Sequence, residues 1–133
     1  MVSRRAFFSW VAAIVVVGAS LSLASARSGS TTTLTLEIQP LIAHAGDTLT
    51  IDTGGGLPTA PVGLYVCQIG FVPIFFRVAV GGFDPSGHWI LEAEVPDDPA
   101  LDDLDITFVS YGIAAANSKL GSSNNVTVHF AAD

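Results

Sequence analysis

Short runs in which apolar and polar side chains alternate strictly constrain this chain more than any other feature. In Thr33-Leu34-Thr35-Leu36-Glu37-Ile38, the residues Leu34, Leu36 and Ile38 share one face, and Thr33, Thr35 and Glu37 share the other. Successive side chains of a strand point to opposite faces, so this period of two dictates a strand that is dry on one side and wet on the other. The β-branched outward residues favour the same conformation. The pattern returns over residues 48–53, 89–95, 104–109 and 126–130, with further strands expected over 62–69 and 71–80. Between them lie turn signals: Pro40, Ala45-Gly46-Asp47, the Gly54-Gly55-Gly56 loop with Pro58 and Pro61, and Phe83-Asp84-Pro85-Ser86-Gly87. Helix signals are scarce. About seven strands in about 100 residues predict an all-β fold, an immunoglobulin-like antiparallel β-sandwich.

The segment before the first strand has a different character. Arg4 and Arg5 precede an apolar run from Ala6 to Val17 broken only by Ser9, and small residues follow, ending in Ala24-Ser25-Ala26. Positive charge, apolar core and an A-x-A ending are the three parts of a signal peptide, so residues 1–26 are expected to be cleaved. An uncleaved anchor is the alternative, because residues 6–24 approach the roughly 20 residues needed to span a bilayer. The short apolar run suits the general secretory route, whereas Ser3-Arg4-Arg5-Ala6-Phe7 resembles a twin-arginine motif. Residues 27–32 read as a flexible lead-in and 33–133 as the sandwich. Cleavage removes two of the five basic side chains and none of the twelve acidic ones, which leaves a formal charge of −9. That balance argues against nucleic acid as a partner and against a basic membrane-surface patch once the signal is gone.

Three stretches carry a resemblance. They are Ala45-Gly46-Asp47-Thr48-Leu49-Thr50-Ile51, then Gly82-Phe83-Asp84-Pro85-Ser86-Gly87-His88-Trp89-Ile90-Leu91 with Val95-Pro96, and finally Ser123-Asn124-Asn125-Val126-Thr127-Val128. Together they resemble a group of small exported bacterial proteins and modules built on an immunoglobulin-like sandwich and largely without an assigned activity. The resemblance implies fold and export, to the periplasm, the cell surface or beyond. It implies no catalytic or ligand residue.

Chemistry-bearing residues are few. Asp97, Asp98, Asp102 and Asp103 crowd one loop, with Asp105 just after it. Calcium takes six to eight hard oxygen ligands, and such a loop could supply several. The same residues also read as a solvated acidic loop. His44, His88 and His129 show no short-range pairing of the kind zinc needs, and no Gly-x-Ser-x-Gly elbow appears. The chain therefore reads as non-catalytic, without a cofactor unless calcium occupies the acidic loop. The lone cysteine, Cys67, excludes an internal disulfide. Carbohydrate held by end loops is an alternative ligand; Trp89 is expected inward, leaving Tyr65 and Tyr111 as the outward rings.

One stretch breaks the alternation. Residues 71–80 are apolar at nearly every position except Arg77. Such a strand either is covered on both faces or exposes an apolar patch near a sheet edge. The second reading makes Phe71, Ile74, Phe75 and Phe76 the candidate partner-binding residues, for a protein or for a second copy of the chain. The functional expectation is thus an exported interaction or structural module of the bacterial cell envelope.

Overall fold

The computed structural model describes residues 33–132 and the short segment Ile14–Val16. The rest of the expected signal peptide and lead-in lies outside the described residues. The strands are β1 (Ile14–Val16), β2 (Thr35–Gln39), β3 (Ile42–Ala43), β4 (Thr48–Gly54), β5 (Pro61–Ile69), β6 (Val72–Gly82), β7 (Trp89–Glu94), β8 (Leu104–Ile113), β9 (Leu120–Ser122) and β10 (Val126–Phe130). They form two sheets, one in the order β1-β7-β4-β2 and a larger one in the order β3-β10-β8-β5-β6, with β9 on β8. The seven expected strands are β2, β4, β5, β6, β7, β8 and β10. After Pro40 the chain crosses from the first sheet to the second, where β3 pairs in parallel with β10. This crossing, with β4 between β2 and β7 and with β8 between β10 and β5, is the strand order of an immunoglobulin-like sandwich.

The inward residues of the alternating runs make the core. Leu34, Leu36, Leu49, Ile51 and Leu91 from one sheet meet Leu64, Val66, Ile106, Phe108 and Val128 from the other, all buried. Burying each such side chain is worth roughly 1.5–3 kcal/mol, so this layer dominates folding. Two buried hydroxyls cross it. Thr53 Oγ1 on β4 and Ser110 Oγ on β8 share a hydrogen bond of 2.7 Å, between the two strands that a disulfide joins in antibody domains. A second tie closes the side of the sandwich. The Asn124 side chain accepts from Leu36 N at 2.9 Å and donates to Leu36 O at 3.1 Å, doing for β2 what a neighbouring strand would do.

The three motif stretches are structural joints. Gly46, with φ of 85°, turns the chain into β4, and the turn pairs with Val95 through Gly46 N to Val95 O at 2.9 Å and Val95 N to Asp47 O at 2.8 Å. The first motif therefore meets the end of the second where β4 and β7 run side by side. Phe83 packs against the Cα atoms of Gly56 and Gly112, where a Cβ would crowd its ring, and Trp89 lies the same way against Gly81. Between Phe83 and Trp89, Asp84 Oδ1 accepts from Ser86 N at 2.8 Å, Ser86 Oγ at 2.6 Å and His88 N at 3.1 Å. Burial acts to raise the Asp84 carboxyl, but the Ser86 hydroxyl, the His88 and Ser86 amides and the His88 ring outweigh it and hold it below its usual value.

Two outcomes follow from these joints. Thr53→Val keeps the shape but strands the Ser110 hydroxyl, so chemical denaturation should show a loss of about 1–3 kcal/mol, part of which Thr53→Val with Ser110→Ala regains. The depressed Asp84 carboxyl contributes stability that is complete above the ordinary value of 3.8 and is lost as pH falls through its lower folded value. Acid denaturation of Asp84→Asn should accordingly show a weaker dependence on pH below 3.8 than wild type.

Candidate functional site

β6 is an edge strand of the larger sheet, and the burial along it answers the question posed by residues 71–80. In its middle the strand touches the core: Val78 is buried, and Phe76 and Ala79 pack against the interior, while Val80 beyond them is exposed. Toward its start it is bare. Phe71, in the β5–β6 turn, is 99% exposed, Val72 62%, Ile74 42% and Phe75 59%. Of the four candidate partner-binding residues, Phe71, Ile74 and Phe75 are therefore on the surface, and Phe76 is half-buried against the core. The alternation fails because β5 and β6 are irregularly paired, with register shifts between Leu64 and Tyr65 and between Val66 and Gln68. Each shift changes which β6 residues face the core.

Phe75 belongs to a second feature. On the outer face of the larger sheet, Tyr65 stacks on Phe75 with centroids 5.0 Å apart and planes 11° apart. Tyr111 meets both rings edge-on, at 5.4 Å and 5.8 Å. Register explains the cluster. Tyr65 pairs with Arg77, while Gly63 pairs with both Val80 and Tyr111, so all share the outward face. Val109, opposite Tyr65 on β8, is buried although it stands apart from the core. Gly63 has no side chain, and a Cβ there would press on the Tyr65 ring. The result is an open groove of about 480 Å³, lined by Tyr65, Phe75, Tyr111, Arg77, Val80 and Leu120 among others.

Charge is divided between the two faces. Glu37, Asp52, Glu92 and Glu94 alternate outward on β2, β4 and β7 of the smaller sheet. In contrast, β5 and β6 contain no acidic residue, and the only one on β8 is Asp105 near its start. Arg77 and Lys119 are the basic residues of the described region, and Lys119 adjoins Leu120 at the groove.

The carboxylates of the acidic loop hold several separate contacts. Asp98 caps a short 3₁₀ turn at Pro99–Leu101 by accepting from Ala100 N at 2.9 Å. Asp97, Asp98 and Asp102 border a hollow of about 10 Å³. Asp103 lies 3.9 Å from His129 Nε2, and Asp105 Oδ1 lies 2.7 Å from His129 Nδ1. Among the described residues no three His, Cys, Asp or Glu side chains converge so as to hold a metal ion. His88 is tucked half-buried against Asp52 at 2.9 Å. Burial pushes the half-buried Cys67 thiol up, away from the reactive thiolate. No helix among the described residues is long and apolar enough to cross a membrane.

No family model matches the chain, and no curated protein matches it. Among solved structures, a chain from the structure of T cell specificity and activation by the bacterial superantigen toxic shock syndrome toxin-1 is 8% identical, with a TM-score of 0.48, over 75% of this chain and 99% of that one. WR4, a C. elegans member of the MSP family, is 10% identical, with a TM-score of 0.36, over 74% of this chain and 98% of its own. The fold assignment stands on this chain's own strand order.

Proposed function

We propose that the protein is an exported, non-catalytic interaction module of the bacterial cell envelope that engages a protein, or a second copy of itself, through the bare end of the β5–β6 hairpin. The carrying observation is the exposure of Phe71, Val72 and Ile74 at the open edge of the larger sheet. Large apolar side chains left in water together favour association, because covering them releases their hydration. An edge strand adds unpaired backbone groups that an incoming strand can meet, and Pro73 removes one donor and so limits how far such pairing can run. Export is supported by the arrangement of Arg4, Arg5, the apolar run and Ala24-Ser25-Ala26.

The test replaces Phe71 and Ile74 by Asp together. Both side chains are exposed, so the variant should fold. Crosslinking in the native envelope and size-exclusion chromatography should show wild type in a complex and Phe71→Asp/Ile74→Asp released from it. Two folded monomers with the same envelope association would refute the reading.

A further inference from the structure

We propose that the groove on the outer face of the larger sheet binds a carboxylate-bearing sugar, with the rings of Phe75, Tyr65 and Tyr111 as its platform and Arg77 as its anion anchor. This goes beyond the hairpin edge proposed above and uses a different surface. The volume of about 480 Å³ lies within the roughly 300–1,000 Å³ typical of small-molecule sites. The rings are fixed before anything binds: Tyr65 stacks on Phe75, and Tyr111 braces both edge-on. A platform already ordered loses little freedom when a ligand arrives. The apolar C–H face of a pyranose suits the negative face of an aromatic ring, and the two phenol hydroxyls stand ready for sugar hydroxyls.

Arg77 sets the charge. It lines the groove, and among the described residues no ion pair holds it. Neither β5 nor β6 offers it a carboxylate. A guanidinium takes a carboxylate through two parallel hydrogen bonds, so an acid on the ligand is the group that Arg77 would hold. Three other occupants fit less well. A second copy docked face to face would bring two Arg77 side chains together with no acid between them. A peptide main chain lying over the rings finds no ladder there, since β5 is paired with β6 and β8, and one added to the free edge of β6 would lie beside the groove and not in it. A long polyanion meets one guanidinium on a chain of net charge −7.

The experiment is a calorimetric titration of the whole chain at low ionic strength with trisaccharides of glucuronate, galacturonate and mannuronate, and with their uncharged methyl esters. At least one acid should bind saturably. Its ester should bind about tenfold or more weakly, and Arg77→Gln should weaken the acid by a similar factor. Phe75→Ala should weaken acid and ester alike. Phe71→Asp/Ile74→Asp should leave sugar binding unchanged, which separates this site from the hairpin edge. Absence of binding by all three acids would overturn the proposal. So would equal affinity for acid and ester, an Arg77→Gln variant that binds as wild type does, or hexaglutamate binding as tightly with the same dependence on Arg77.

Discussion

The dry layer between the two sheets is the constraint on which the rest depends. Leu36, Ile51 and Leu91 on one side and Leu64, Val66 and Phe108 on the other can be buried together only if both sheets present every second residue inward. That requirement fixes register, because a slip by one residue would turn each strand's apolar set to water. It also sends the remaining residues outward and so decides what each outer face can be. On the smaller sheet the outward set is mainly Thr, Glu and Asp, with Gln39 and Ile90 among them. On the larger sheet it is Tyr65, Arg77 and Tyr111, together with Gly63, which leaves room among them.

The sheets are unequal, and the inequality creates the surface that matters. β6 is the outermost strand of the larger sheet and is eleven residues long. Its Val78 reaches the shared interior, whereas Ile74 and Phe75 remain open to water. Both proposed surfaces lie along this strand, the hairpin edge with Phe71 and the ring-lined groove behind it. Each draws on a different side of one strand, so a ligand in the groove and a partner on the edge need not exclude each other.

Five of the seven principal strands were legible because period-two alternation is local and each run carries it alone, whereas β5 and β6 showed only as apolar runs between turn signals. Trp89 inward, with Tyr65 and Tyr111 outward, followed from the same rule. The short strands β3 and β9 carry too few residues for a period to be read. The groove was not legible for another reason. Tyr65, Phe75 and Tyr111 come from three strands, and they meet only through the register of β5 with β6 and β8 and through the bulges that shift it. Irregular pairing also hid which of residues 71–80 turn inward. In the acidic loop the composition was plain, but the tasks of the carboxylates were not. Asp98 serves a turn and Asp105 faces a histidine on β10, relations that depend on backbone geometry and on a distant strand.

The Thr53–Ser110 hydroxyl pair has a consequence for where this protein can mature. A cystine clasp forms only where an oxidant is supplied and is exposed to glutathione before then. Two alcohols need neither oxidant nor isomerase, and no cellular reductant opens their bond. The sandwich can therefore complete its interior in a reducing or an oxidising compartment with the same core chemistry.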